Sequence, residues 1–204
     1  MQLPHVTTAH VDRLQQRNIN TIKDLQSLPW NKFQTILQET LRTPQHITEF
    51  TQAFQSLPSL SLSLTLLSHD ERESWNPIPS PGNQLFDVKP SIELKLEITV
   101  TRRGGGKATT GGASEEKIFS PRYHKSKSIS WWLVLGTPSG ELLAMKRIGS
   151  VGMSNHPMSH SLLFSSPCQG QGNAEQQDYL VFLIPDSVYG LEALGEFHLK
   201  TKTT

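Results

Sequence analysis

A single cysteine, Cys168, stands among 204 residues. One thiol cannot build a disulfide framework within the chain, nor a Cys-rich zinc site. Charge of one sign is also lacking. Nineteen Lys and Arg face eighteen Asp and Glu, a formal net of +1. That balance excludes a chain coated throughout for nucleic acid, while a local basic patch stays open. No apolar run approaches the roughly 18 residues that a membrane helix needs. No charged segment followed by an apolar core opens the chain, so no signal peptide is expected. A soluble chain in a reducing, intracellular setting is the expectation. The length fits one domain or two small ones.

Catalytic signatures are missing as well. Gly104-Gly105-Gly106-Lys107-Ala108-Thr109 has the look of a phosphate loop. A Walker loop needs a glycine five places before its last one and a hydroxyl directly after the lysine. Thr101 and Ala108 stand there, and the run leaves a strand without entering a helix. Leu64–Leu67 followed by Ser68-His69-Asp70-Glu71 resembles a strand tipped with magnesium-binding acids, but the phosphate loop it would serve is missing. Gly136-Thr137-Pro138-Ser139-Gly140 has the wrong spacing for a nucleophile elbow. His156 and His160 are spaced as in some metal sites, with Cys168 nearby, but Pro157 opposes the helix that would align them. No catalytic, cofactor-binding or metal residue is expected.

What is present divides by period. Through Leu57 the apolar residues recur every three or four: Val11 and Leu14; Ile22, Leu25 and Leu28; Trp30, Phe33, Ile36, Leu37 and Leu41; Ile47, Phe50, Phe54 and Leu57. This spacing lines one face of a helix. Pro4, Pro29, Pro44 and Pro58 punctuate the runs, and Thr21 is a candidate N-cap. Four short helices are expected. After Pro58 the period becomes two. Leu60, Leu62, Leu64 and Leu66 alternate with Ser and Thr, and Ile92 to Val100 alternate with Ser, Glu, Lys and Thr. Such alternation marks half-buried strands. Further strands are expected at 130–136, 142–149, 159–165, 179–184 and 196–200, with a hairpin turn at Thr137–Gly140. The fold class read from this is α+β. A small helical domain over 1–57 precedes a seven-stranded antiparallel β-sandwich over 58–204, with long loops at 68–90 and 103–121.

Two strands break the alternation. Trp131-Trp132-Leu133-Val134-Leu135 and Tyr179-Leu180-Val181-Phe182-Leu183-Ile184 are apolar on both faces. A strand with one solvated face should alternate. These strands are therefore expected centrally in a sheet whose outer face is covered, by the helical half or by a partner. A second feature is local charge. Arg102, Arg103, Lys107, Lys117, Arg122, Lys125 and Lys127 face only Glu115 and Glu116, seven bases against two acids, for a local net of +5. With Tyr123 and His124, this stretch is a candidate to contact phosphates and stack a base.

The opening helices resemble a helix-hairpin-helix unit, with Arg17-Asn18-Ile19-Asn20 where that motif has its glycines. Four stretches carry a wider resemblance: Ser120-Pro121-Arg122-Tyr123-His124-Lys125-Ser126-Lys127, Trp131–Gly136, Leu142–Ile148, and Pro185-Asp186-Ser187-Val188-Tyr189-Gly190-Leu191-Glu192. Their order and spacing resemble the C-terminal part of the Sec-sixty-three homology unit in Ski-two-like helicases, nearest to the activating signal cointegrator complex members, with the spliceosomal members close by. The family usually has proline at His124, an acid-glycine pair at Ile129-Ser130, tyrosine at Val188 and aspartate at Glu192. The resemblance implies a helix-loop-helix domain followed by an immunoglobulin-like (fibronectin type III-like) sandwich.

It also implies a non-catalytic role, since the ATPase cassette that uses ATP and magnesium in the parent helicases has no counterpart here. The implied role is bracing a helicase core and docking other subunits, through Trp131, Trp132, Lys146, Arg147, Phe182, Ile184, Asp186, Tyr189 and Gly190. One of the two tryptophans is equally readable as sandwich core. Tyr179 stands where such sandwiches carry a tyrosine corner. Further expectations are RNA processing, ribosome quality control and DNA repair contexts, in nucleus and cytoplasm, without a membrane. Alternatives are a nucleic-acid accessory that holds RNA or single-stranded DNA through Arg102, Arg103, Arg122, Tyr123, Lys125 and Lys127, and a translocation role at the endoplasmic reticulum.

Overall fold

The computed structural model of the chain describes residues 3–41, 43–69, 74–80, 82–103, 125, 127–149, 157–168 and 176–201. Four helices come first: α1 (Thr8–Gln15), α2 (Ile22–Ser27), α3 (Trp30–Thr40) and α4 (Pro44–Ser56). Their apolar stripes meet as the period demands. Phe33 stacks on Phe54 at 4.7 Å between ring centroids, and both contact Phe50. Leu37, Leu25 and Ile22 are buried beside them.

The helix ends are chemically specified. Asn18 adopts φ +60, ending the first helix in the left-handed conformation that short polar side chains tolerate. The amide of Ile19 then bonds the Leu14 carbonyl at 3.0 Å, and that of Asn18 bonds Gln15 at 2.9 Å. Thr21 caps the second helix, its hydroxyl accepting from the Asp24 amide at 3.1 Å. Pro44 sits in the first turn of α4, where its missing N–H costs nothing.

Nine strands follow: β1 (Ser59–His69), β2 (Trp75–Pro77), β3 (Leu85–Val88), β4 (Glu93–Arg103), β5 (Trp131–Gly136), β6 (Leu142–Ile148), β7 (Met158–Ser165), β8 (Gln176–Pro185) and β9 (Ala193–Thr201). They form two sheets, β2-β1-β4-β7 and β3-β9-β8-β5-β6. The α+β class stands, with a correction to the strand count. The seven expected strands form, and β2 and β3 arise inside the stretch 68–90 that composition marks as loop. Both are too short for a periodic signal: three and four residues. β3 also runs parallel to β9, the one departure from antiparallel pairing among the described strands.

The sheets face one another across an apolar interior. Leu94, Leu96, Ile98 and Leu66 from the first sheet oppose Leu133, Leu135, Val181, Leu183 and Leu199 from the second, all fully buried. Phe197 anchors the aromatic end. Tyr179 stacks on it at 5.0 Å, and Phe164 and Phe86 meet it edge-on. Tyr179 donates its hydroxyl to the Gln177 side chain at 3.1 Å rather than to upstream backbone. Burial, with Glu141 adding to it, pushes its pKa up to about 12, so it stays a neutral donor. At the sandwich end Ser166 is buried as a clip. Its hydroxyl donates to the Lys89 carbonyl at 2.8 Å and accepts from the Ile92 amide at 2.9 Å.

The buried apolar residues of the helices and of both sheets form one contiguous core. One junction is the β8–β9 connection, residues 186–192. Val188 and Leu191 are buried in it, and Gly190 lies against the start of α2.

Candidate protein interaction surface

β5 and β8 lie inside the second sheet, each flanked on both sides. Register then assigns every side chain. Trp131, Leu133 and Leu135 point inward with Tyr179, Val181 and Leu183. Trp132, Val134, Leu180, Phe182 and Ile184 therefore share the opposite, outer face. Cross-strand pairs run Met145, Val134, Phe182, Leu194 along one row and Arg147, Trp132, Ile184 along the next. The five middle residues are half-buried against each other. At the margins Met145 is 54% exposed and Leu194 49%. The expected cover is thus incomplete. The face is exposed at both margins, and its apolar residues form a continuous patch rather than isolated, solvated side chains.

The nine interaction candidates divide accordingly. Trp131 is 1% exposed and belongs to the core, so it is corrected from surface anchor to structural residue. A tryptophan pair on one strand must place one indole on each face, and the inner one fills the sandwich. Trp132, Phe182 and Ile184 lie on the outer face. Arg147 sits beside them, its guanidinium 5.8 Å from the Trp132 ring centroid and 3.5 Å from an Asp186 oxygen. Lys146 is exposed, on the alternate side of β6.

Asp186 is the organiser of that corner. Its Oδ1 accepts from the Ser130 amide at 3.1 Å and from the Ser187 hydroxyl at 2.7 Å, while its own amide donates to the Ser130 carbonyl at 2.8 Å. Gly190 is buried, so it serves the junction and not an exposed surface. Its φ is +89, and a Cβ there would lie 3.3 Å from the Ile22 nitrogen. Glu192 accepts from the Gly190 amide at 3.0 Å, fixing this turn. Tyr189, next door, is 77% exposed. Sequence reasoning missed the margins. Met145 and Leu194 sit in strands whose neighbours are charged or small, and only the register brings them into the row.

The nucleic-acid candidates are not brought together among the described residues. Arg102 is half-buried at the end of β4, opposite Leu60. Lys125 is exposed and Lys127 half-exposed. Arg122, Tyr123, the Arg103 side chain, the triple glycine and His156 lie outside the described residues. The hairpin at Arg17–Asn20 is occupied from within. The Asp24 carboxylate accepts from the amides of Asn20 at 2.9 Å and Thr21 at 2.8 Å. Those bonds hold its pKa below the usual carboxylate value. His160 points into the space between the sheets. Its Nε2 has no hydrogen-bond partner among the described residues, and burial, then Lys146, lowers its pKa. The described residues contain no cluster of three metal-ligating side chains, and no helix among them is long and apolar enough to cross a membrane.

The chain is 25% identical over 206 aligned residues, 99% of its length, to the DExH-box ATP-dependent RNA helicase DExH12 of Arabidopsis thaliana. Its homologues are Ski-two-like DExH helicases. It is 27% identical over 82% of its length to activating signal cointegrator 1 complex subunit 3 of Gallus gallus. It is 20% identical over 98% of its length to the U5 small nuclear ribonucleoprotein 200 kDa helicase of Homo sapiens. The chain spans only 8% of the length of each of these relatives. No family model matches it. The homology is therefore to one segment of a large helicase.

Proposed function

We propose that the chain is a non-catalytic scaffold and docking module of a Ski-two-like helicase assembly. In this reading the sandwich is of the immunoglobulin type, and helices and sandwich act as one unit through the 186–192 junction. The observation that carries it is the outer face of the second sheet, where Met145, Trp132, Val134, Leu180, Phe182, Ile184 and Leu194 form an apolar patch of the kind that marks interaction sites. A chain matching a small segment of a helicase, and carrying one open apolar face, suits a part that braces a core and receives partners. ATP and magnesium would be used by the helicase, and the setting would be nuclear and cytoplasmic RNA processing. DNA repair and ribosome quality control belong to the same proposal.

The test is binding of the purified chain to a recombinant Ski-two-like helicase core, followed by biolayer interferometry. A saturable complex is expected, with no ATP hydrolysis by the chain alone. Failure to bind any such core, or ATPase activity abolished by a substitution in this chain, overturns the proposal. The nucleic-acid reading keeps one supporting observation, the local basic excess between Arg102 and Lys127. Retention of single-stranded RNA that weakens with salt and is lost on Lys125→Glu with Lys127→Glu would favour it.

A further inference from the structure

We infer that His160 is a proton-sensitive pin between the two sheets: uncharged, it lets β6 rest on β7, and charged, it frees β6 together with the Met145 and Arg147 margin that β6 carries. The link to that margin rests on reading the second sheet's outer face as a docking surface. The seam between β6 and β7 does not depend on that reading.

Register places the groups. β7 ends the first sheet and β6 ends the second. These two edge strands meet at one side of the sandwich. His160 pairs with the fully buried Ile98, so its ring leaves β7 on the inward face. Lys146 pairs with the fully buried Leu133, so its stem leaves β6 on the inward face as well. Met145 and Arg147 pair with Val134 and Trp132 and project outward. One short strand therefore carries a neighbour of the imidazole on one side and the margin of the apolar patch on the other.

The surroundings oppose a positive charge on the ring. The inward positions beside it are Met158 and Leu162 on β7, Ile98 on β4, and Ala144 and Lys146 on β6. Lys146 is the charged group among them, and it has the wrong sign to receive a proton's charge. Glu93, Lys95 and Glu97 of β4 point outward, opposite Ser165, Leu163 and Ser161. β5 carries no titratable side chain. The Nε2 atom is buried and has no hydrogen-bond partner among the described residues, so a proton added there finds no acceptor. Burial first, and then Lys146, lower the pKa of His160 from its ordinary value of about 6.5. Once β6 lifts away, the ring meets water and regains that ordinary value. Closure is therefore fully favoured above about pH 6.5 and is progressively lost as pH falls below it, until the lower value of the closed state is reached.

Amide hydrogen exchange, followed by NMR and divided by the intrinsic rate at each pH, tests the seam strand by strand. Between about pH 7.5 and 5.5 the opening constant of β6 should rise at least about threefold, while the β1–β4 pair inside the first sheet keeps its protection. His160→Gln and His160→Leu should each abolish that rise. Lys146→Gln should reduce it without abolishing it, because burial is the larger cause. The chain holds eight histidines, so the difference between native chain and His160 variants isolates this one. In the native chain the His160 ring resonance should titrate below about pH 6.5. Titration at or above that value overturns the inference, as do unchanged β6 profiles in the His160 variants or an equal loss of protection in β1 and β4.

Binding to a recombinant Ski-two-like helicase core should weaken over the same pH range in the native chain and hold in His160→Gln. Core binding that ignores an opening seam overturns the link to the docking margin. An opening seam with no core binding at any pH overturns the docking reading and leaves the pin standing. Core binding over a seam that does not respond to pH does the reverse.

Discussion

The two outer faces of the sandwich differ most at the middle of each sheet. On the first sheet the outward positions are Ser61, Ser63, Thr65 and Leu67, then Lys95, Glu97, Thr99 and Thr101, then Ser159, Ser161, Leu163 and Ser165, polar but for Leu67 and the exposed Leu163. Thr99 pairs with Ser159 across two strands at 3.2 Å. On the second sheet the central outward positions are Trp132, Val134, Leu180, Phe182 and Ile184, margined by Met145 and Leu194, with Asp178, Glu196 and His198 toward one end of β8 and β9. Both faces share one core and one strand geometry. Strand formation therefore does not require the second pattern, because the first sheet forms without it. The greater apolar surface on the second sheet's outer face is what the proposed docking role would use.

The largest test of this difference lies within one dipeptide. Trp131→Ala empties the core and should cost about 3–5 kcal/mol in urea unfolding. Trp132→Ala removes an indole from the outer face and should cost only about 1 kcal/mol. Equal losses would mean that the outer face is a second core. Next comes the junction that holds the helices to the second sheet. Asp186→Ala frees the Ser130 amide, the Ser187 hydroxyl and Arg147 together, and should cost about 1–2 kcal/mol. Gly190→Ala imposes a side chain at φ +89 beside Ile22 and should cost about 1–2 kcal/mol. No counterpart on the first sheet's outer face should reach that size.

The smallest effect concerns pH. Asp24 is held below its ordinary pKa by the Asn20 and Thr21 amides. A group depressed in the folded state adds stability above its unfolded pKa, about 3.9, and that stability is lost as pH falls through the lower folded value. Thermal melts across that acid range should show this loss in the native chain, and Asp24→Asn should flatten it.

Much of this could be read before the structure. The three-and-four spacing from Val11 to Leu57 and the strict alternation from Ile92 to Val100 reflect faces that water and core pull apart, so period reveals element. β2 and β3 escaped because three or four residues cannot display a period, and because β3 is held by parallel pairing to β9, a distant strand. The apolar doubling of β5 and β8 pointed to the candidate surface. It could not say which tryptophan faces in, since alternation fixes that faces differ but not which is inner. Met145 and Leu194 were invisible because the patch exists only once four strands lie in register. Gly190 read as part of a motif, and only its closeness to Ile22 reveals a packing role.

The proposed function requires docking through the second sheet's outer face and not through the first sheet's. The most direct measurement compares two charge insertions at exposed positions, Leu194→Glu and Ser159→Glu, for binding to a recombinant Ski-two-like helicase core. Leu194→Glu should weaken binding by at least about tenfold. Ser159→Glu should leave it within roughly twofold. Equal behaviour of the two variants, or loss only with Ser159→Glu, would contradict docking through the second sheet.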